Sequence, residues 1–591
     1  MNTFSFGSQG SVGKTTVFSK KAGYGLVAQQ QIAGSTTAEQ ALHNGGWNCA
    51  PSFRERWQQT LTETAGGVYV NDSRSVLVFK TLVPRYGVYR LTLTVRAENG
   101  AIQDMSLFSG RRQVISRQVQ IPAGTCWEKS WYAVSAPYIP AFSAKPDTEA
   151  ALYVSVTGAH AGLSSLTVEP ADVPVLWVAG DSTLTDQNAL FPYYGARSCG
   201  GCAQAIARYF DGVAVCNYAH SGMTTNCFRD DGHWALIQQH ARPGDVVLFQ
   251  FGHNDQKRRN LAAFGGYSTN LRRYIREARE LQLTPIIASP ISRIPFEDRG
   301  APRSLLAAHA LAAEQVCTEL SVPFINLHDE TFDRWSACGT AASQYFMPGD
   351  STHTNDYGAD YIASLVAQAI RRLGVAPLAS LCAPLPEPFA VPEHEVLPPP
   401  ESATGSIFAI PIPYVDAGRG KTREIIERAF RAELLDPCVL HVHPHESLPR
   451  AQLLMVFFKA IRQGGVRPYL GAFDDISRYE WDAGYVQACI TGNLLDMQAL
   501  GSRFLPDEPV TAAFFALLCV RVLEKDVSRR LSLSAAVCLE RAQSLSLLPA
   551  HCSGRRRLTR VDCYRGLVRL QELLQTASAS LSADMEAHPV V

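Results

Sequence analysis

Between residues 173 and 382, five short apolar runs alternate with helical stretches: Val175–Ala179, Val213–Cys216, Val246–Phe251, Pro285–Ala288 and Pro323–Leu327. No other feature narrows the fold as far. Runs this short, rich in β-branched residues and without a polar face, read as strands that must be covered on both sides. Helical patterning lies between them at Asn270–Leu281 and Ala307–Leu320. The last helical stretch, Asp356–Leu373, sets Ile362, Leu365, Val366, Ala369 and Ile370 on one face and stops at Gly374. The alternation predicts an α/β three-layer domain with a five-stranded parallel sheet.

The chain has 591 residues, too many for one ordinary domain, and the patterning changes along it. Residues 1–170 read as a β-sandwich. Arg90–Val95 and Ala151–Val156 alternate apolar and polar, and Pro84, Gly87 and Asn99-Gly100 break such runs apart. Residues 383–405 hold Pro384, Pro386, Pro388, Pro392 and Pro398-Pro399-Pro400, the composition of a stiff extended linker. Residues 406–578 are helix-rich, with weak self-similarity at a spacing of roughly 50–60 residues. Ser447–Leu454, Pro509–Phe515 and Arg557–Asp562 each open an apolar helix.

Lys+Arg and Asp+Glu balance at 54 each, so no global field draws the chain to nucleic acid or to an anionic membrane. The longest apolar stretches, such as Ala513–Val520, fall far short of the ~20 residues a membrane span needs. Met1–Gly7 has neither a basic head nor an apolar core, and the fifteen cysteines are scattered rather than framed. Reduced thiols and cytoplasmic residence are the expectation. Cys199-Gly-Gly-Cys202 has redox or metal spacing, but no second pair or nearby His completes a site, so it reads as a thiol pair in a loop or helix start. Gly13-Lys14-Thr15 ends like a phosphate loop, yet Ser8 stands where that loop needs its first glycine, and no strand precedes it.

The chemistry gathers at the ends of the five runs. Gly180-Asp-Ser-Thr-Leu-Thr-Asp186 follows the first, which puts Ser182 in a polar turn at the exit of a buried strand. Far downstream, Asp350 and His353 lie three residues apart, close enough to project from one turn. Acyl transfer from serine needs a base, a group that orients the base, and donors for the developing oxyanion. Ser182 is the expected nucleophile, His353 the base and Asp350 the orienting carboxylate. Asn217–Gly222 follows the second strand and offers the Gly222 N–H. Gln250–Asp255 ends the third and offers the Asn254 carboxamide, with the Ser182 N–H as a further donor. Sites in open α/β sheets form outside the carboxyl ends of strands, where all four segments fall.

The blocks Gly180-Asp-Ser-Thr-Leu184, Gly222, Gly252-His-Asn-Asp255 and Asp350-x-x-His353 resemble the signature blocks of the SGNH (GDSL) hydrolase superfamily, whose catalytic fold is flavodoxin-like. Phe249–Lys257, Ala288–Arg293 and Asp350–Ala359 resemble the longer segments of the rhamnogalacturonan acetylesterase family within it. That resemblance implies deacetylation of a pectic polysaccharide by Ser182, His353 and Asp350, with no metal or other cofactor. It extends to the N-terminal region, where Gly23-Tyr-Gly25 and the later strands look like a galactose-binding-like β-domain found before some bacterial members. Phe191–Cys202 differs from the family's usual Trp-Gly-Gln run, so the shape of the pocket is not inherited with the rest.

Phe473–Ser477, Trp481–Val486, Gly492–Leu495 and Phe504–Thr511 together resemble one S-layer homology (SLH) repeat, and about 415–463 and 526–575 resemble degenerate flanking copies. Such triplets bind secondary cell-wall polymers. The helix-opening motif, usually Thr-Arg-Ala-Glu, reads Pro449–Gln452, Thr511–Phe514 and Thr559–Asp562 here. Arg450 and Arg560 are thus candidate anion ligands, while the middle copy offers Ala512. The expected partners are an acetylated polysaccharide or oligosaccharide and, through the repeats, a cell-wall polymer. Wall-binding repeats imply export, against the missing signal. A small-acyl esterase or lipase of the same superfamily, and a non-enzymatic polysaccharide-binding protein, remain open as alternatives.

Overall fold

The computed structural model describes residues 1–35, 38–49, 61–71, 75–140, 145–191, 193–298, 301–384, 386–391, 412, 414, 416–435, 442–462, 469–476 and 480–587. Pro392 and Pro398–Pro400 of the expected linker lie outside them. The chain divides into two compact units, residues 1–297 with 302–406, and residues 407–591 with 298–301.

The first unit is built on two sheets. Its principal strands are β1 (Asn2–Ser5), β2 (Tyr24–Leu26), β3 (Val76–Leu82), β4 (Gly87–Arg96), β5 (Ile102–Ser109), β6 (Gln113–Ile121), β7 (Cys126–Ser135), β8 (Ala151–Thr157) and β9 (Ser165–Pro170). They continue with β10 (Val175–Gly180), β11 (Ala214–Asn217), β12 (Val246–Gln250), β13 (Thr284–Ala288) and β14 (Phe324–Ile325). Strands β2-β3-β8-β5-β6 form an antiparallel sheet; β1-β9-β4-β7-β11-β10-β12-β13-β14 form a second of nine strands. Alternate residues of β4 (Leu91, Leu93, Val95) point into one core with Leu77 and Phe79 of β3 and Val154 and Val156 of β8. From Leu91 to Val95, β4 is fully buried at every second residue, as its alternating run predicts, whereas β3 and β8 are buried on both faces.

Within the nine-stranded sheet, β7 pairs antiparallel with β4 along its whole length and touches β11 in parallel at Ala133↔Val215. The N-terminal strands and the parallel strands are therefore one continuous sheet, although the sequence pattern changes at about residue 170. The parallel part has the chain order 2-1-3-4-5, with β10 between β11 and β12. Both faces are covered. Leu176, Val178, Leu248 and Ile286 pack with Ile362, Val366 and Ile370 on one side. Trp177, Val247, Phe249 and Ile287 pack with Leu271, Ile275 and Val316 on the other. Burying each such side chain stabilises the fold by ~1.5–3 kcal/mol, so the period-two alternation fixes which face each strand residue takes.

The covering helices are α1 (Ala203–Ile206), α2 (His233–His240), α3 (Ser268–Glu280), α4 (Ala307–Leu320), α5 (Leu327–Cys338) and α6 (Asp356–Arg372). The fifth strand is shorter than the apolar run Pro323–Leu327, because Asn326 caps α5 by accepting the Asp329 N–H and draws Leu327 into that helix. Inside the expected linker, Phe389 is buried and its N–H donates to Asp360 Oδ2 at 2.9 Å, so this stretch packs on the first unit.

The second unit is helical: α7 (Gly420–Arg431), α8 (Arg450–Ala460), α9 (Ala483–Thr491), α10 (Ala512–Leu523), α11 (Ala535–Ser544) and α12 (Arg560–Ala587). Ile426, Phe430, Leu453, Phe457, Val486, Phe515, Leu518 and Leu567 share its core. The three expected helix openings do open α8, α10 and α12. Their leading segments bridge one another at Pro449↔Pro509, Thr511↔Arg557 and Ser447↔Thr559. Among the described residues, no helix is long and apolar enough to cross a membrane.

Candidate active site

The turn that follows β10 is closed by Asp181, whose Oδ1 accepts from the Thr183 N–H at 3.0 Å and the Thr183 hydroxyl at 2.8 Å. That turn presents Ser182, 8% exposed, with its Oγ 3.0 Å from His353 Nε2. His353 Nδ1 lies 2.7 Å from Asp350 Oδ2, while Asp350 Oδ1 accepts the N–H of Thr352 at 2.6 Å and of His353 at 3.1 Å. The carboxylate fixes the proton on Nδ1, which turns the Nε2 lone pair toward the serine hydroxyl. Partial burial raises the Asp350 carboxyl, but the imidazole and the backbone donors hold it below the usual carboxylate range. Hydroxyl, imidazole and carboxylate thus stand in hydrogen-bonded series.

The other expected groups lie at the same sheet edge. The loop after β11 is tied to β10 by the His220 N–H, which donates to the Gly180 carbonyl at 3.0 Å. Gly222 in that loop has φ +81°, a left-handed conformation that an L side chain would disfavour. Asn254, after β12, donates from Nδ2 to the Met223 carbonyl at 3.1 Å, and its Oδ1 accepts from Lys257 Nζ at 3.2 Å. Asn254 is thereby bound to the Gly222 loop with one of its two Nδ2 hydrogens. Gln187 joins the first two loops: its Nε2 donates to the Ser182 carbonyl at 3.2 Å and to Ser221 Oγ at 3.0 Å. Sequence reasoning missed Gln187, since a lone glutamine in a loop carries no local signal. A cavity of about 40 Å³ opens beside Gln187 and Ser221, bounded also by Arg111, Tyr138, Asp186 and His220.

Two buried acids under the site went unassigned in the sequence. Burial raises the Asp181 carboxyl, but His253, with Nδ1 3.6 Å from Asp181 Oδ2, and the Thr183 donors bring it below the usual range. Burial lowers His253 despite that neighbour. Asp255, which accepts from the Thr225 N–H at 3.0 Å and the Thr225 hydroxyl at 2.6 Å, is pushed up to about 7 by burial.

Cys199-Gly-Gly-Cys202 threads between the two halves of the site. Cys202 N–H donates to the Thr183 carbonyl at 2.8 Å and Gly201 N–H to the Thr185 carbonyl at 3.1 Å; Gly200 N–H reaches the Thr354 carbonyl at 3.1 Å. A Cβ on Gly201 would lie 2.2 Å from the Leu184 carbonyl carbon, so only glycine permits this approach. Burial pushes both thiols up to about 12, which keeps them protonated at neutral pH, and Cys202 stands at the start of α1. Cys199 lies in the loop before that helix, bridged to Asn355. A strand, β1, does precede the phosphate-loop-like segment, against expectation, but the Lys14 N–H there donates to Glu63 Oε1 at 3.0 Å, a carboxylate where a phosphate would have to sit.

In the second unit, Arg450 Nη1 donates to the Phe504 carbonyl at 2.7 Å and Arg560 Nη2 to Gln452 Oε1 at 2.9 Å. Burial lowers the Arg450 guanidinium. Both candidate anion ligands are thus engaged within their own unit, and Ala512 is buried.

A serine hydroxyl aligned on imidazole and carboxylate, at the carboxyl edge of a parallel α/β sheet, belongs to a class of enzymes that cleave acyl bonds. Residues 178–361 match the GDSL-like Lipase/Acylhydrolase family. The rhamnogalacturonan acetylesterase RhgT of Bacillus subtilis (strain 168) is 32% identical over 215 residues, 34% of this chain and 90% of that protein. A rhamnogalacturonan acetylesterase of Emericella nidulans is 25% identical over 241 residues, 36% of this chain and 92% of its own length. The crystal structure of protein YxiM from Bacillus subtilis, 21% identical, covers 63% of this chain and 99% of that one, with a TM-score of 0.34. This chain belongs to the GDSL-like lipase/acylhydrolase family, and it is a carboxylic ester hydrolase of the GDSL/SGNH type.

Proposed function

We propose that this chain is a serine carbohydrate esterase that removes acetyl groups from a rhamnogalacturonan-like pectic polysaccharide. The observation that carries the reading is the hydrogen-bonded series Ser182–His353–Asp350, with contacts of 3.0 and 2.7 Å. Ser182 Oγ attacks the acetyl carbonyl carbon while His353 Nε2 takes the hydroxyl proton, and Asp350 stabilises the imidazolium. The Ser182 and Gly222 N–H groups and the Asn254 carboxamide face the oxyanion. Collapse expels the sugar oxygen, which leaves with the proton from His353. Water, deprotonated by His353, then releases acetate from acetyl-Ser182.

The acetyl group and the pectic backbone rest on the resemblance of the central segments and on the names of the two acetylesterase relatives. We read the N-terminal sheets as a galactose-binding-like sandwich that helps to hold the polysaccharide. The second unit we read as a degenerate SLH-like triplet with a cell-wall polymer as partner. The mutual bridging of its three helix openings supports that reading. Acetate release from acetylated rhamnogalacturonan, set against acetylated xylan and p-nitrophenyl esters of rising chain length, tests the substrate. Faster turnover of the longer acyl esters than of acetyl on pectin would make it a general acyl esterase instead. Cell-wall pull-down with no hydrolysis of any ester would make it a binding protein.

A further inference from the structure

The hairpin of β5 and β6 carries Arg111 and Arg112 at its tip, and both side chains reach the loops of the active site. Arg112 is fully buried. Its Nη1 donates to both oxygens of Asp356, at 3.0 and 2.7 Å. Its Nη2 donates to the Cys199 carbonyl at 2.6 Å and to Gln204 Oε1 at 3.2 Å, and its Nε to the Gln187 carbonyl at 3.1 Å. The five N–H donors of the guanidinium meet five acceptor contacts, which a lysine could not reproduce. The residue holds φ at +67°, a left-handed backbone that a non-glycine side chain resists and that the surrounding contacts must impose.

Those acceptors belong to both halves of the site. Asp356 is the first residue of α6, three after His353, and it also accepts from Arg117 Nη2 at 2.5 Å and the Tyr193 hydroxyl at 2.7 Å. Burial raises its carboxyl, but the two arginines hold it below the usual range, so it is a carboxylate shared by the hairpin and the base loop. Cys199 precedes Gly200, whose carbonyl accepts the hydroxyl of Thr354, the residue after His353, at 2.7 Å. Gln187 holds the Ser182 carbonyl and Ser221 Oγ through its side chain.

We propose that Arg112 is a positioning residue of the esterase site: a single guanidinium from the N-terminal sheets holds the Ser182 loop, through Gln187, and the His353 loop, through Asp356 and Cys199, at hydrogen-bonding separation. The inference rests on the esterase reading above. It makes the N-terminal strands part of the catalytic apparatus rather than an accessory to it.

The test uses the full chain with Arg112→Lys, Arg112→Ala and Ser182→Ala. p-Nitrophenyl acetate is the substrate, and active sites are counted by titration with an organophosphate. Expected for Arg112→Lys is a kcat per titrated site lowered about 10²-fold with KM within about twofold, as a small misplacement of reacting groups produces. In Arg112→Ala, added guanidinium restores turnover while sodium at equal ionic strength does not. A residue that only stabilised the fold would lower the titrated fraction and leave kcat per site unchanged. If Arg112→Lys keeps the wild-type kcat per site, the inference is overturned, whether or not Arg112→Ala folds. If Ser182→Ala retains activity, it is the esterase reading itself that fails.

Discussion

The loop that carries Ser182 and the loop that carries Asp350 and His353 meet through one hydrogen bond, yet they are held by opposite means. Ser182 sits at the end of the central strand β10, 8% exposed, over Asp181 and His253, which are buried further still. The side chains of Asp350 and His353 are 34% and 37% exposed, in a segment between helices with no strand to fix it. The sheet places the nucleophile, whereas hydrogen bonds between loops, from main chain and side chains alike, place the base. The first kind of placement is made by the parallel core and comes with the fold. The second depends on polar contacts, some local, such as Met347 N–H on the His353 carbonyl, and some from distant parts of the chain, such as Arg112 on Asp356. Part of what holds the base loop, Arg112 and Arg117 on Asp356, therefore lies outside residues 178–361 that match the family.

The sharpest break in this comparison comes from the reacting pair itself. Ser182→Ala and His353→Ala are each expected to lower kcat roughly 10⁶-fold, because members of one such unit lose nearly the whole effect singly. Steady-state hydrolysis of p-nitrophenyl acetate, with circular dichroism to confirm folding, measures this. Asp350→Asn should cost less, about 10⁴-fold, since the base remains and only its tautomer and orientation suffer. A loss equal to that of His353→Ala would mean that the loop, not merely the tautomer, collapses.

Asp356→Asn probes the clamp on the base loop rather than the chemistry. Removing one partner of a buried ion pair leaves Arg112 and Arg117 facing a neutral amide, at an expected ~3–5 kcal/mol in denaturant unfolding at neutral pH. The sign with pH follows from the lowered Asp356 pKa. Its contribution is complete above the ordinary carboxylate pKa and is lost as pH falls through the lowered folded value, so variant and wild type should converge in strong acid.

The smallest effect is expected beneath the nucleophile loop. Asp255 has a folded pKa near 7, raised above its unfolded value, so its proton stabilises the fold at low pH and that stabilisation fades as pH rises toward 7. Asp255→Asn should therefore gain in melting temperature relative to wild type between pH 5 and pH 8. A difference constant with pH would show that the carboxyl is ionised throughout.

The contrast between the loops also explains what was legible in the sequence. Val175–Ala179 followed by a polar turn is a local signal, and so is a three-residue spacing of Asp350 and His353; both set their residues where the structure has them. The helix Ala307–Leu320 coincides with its pattern end to end. Arg112 lies 244 residues from Asp356, and no period, cap or turn signal links residues so far apart. The same holds for Ala133↔Val215, the contact that makes one sheet of two differently patterned regions. Cys199-Gly-Gly-Cys202 was visible as a motif, but its purpose lay in the space its glycines leave, which depends on backbone from the Ser182 turn.

The most direct test of the central claim is intact-protein mass spectrometry after reaction with an organophosphorus fluoride, followed by peptide mapping. The account predicts one covalent adduct per chain, on Ser182, formed in step with the loss of esterase activity and strongly slowed in His353→Ala. Ester hydrolysis that continues undiminished with Ser182 fully modified, or an inactivating adduct on any other residue, would contradict it.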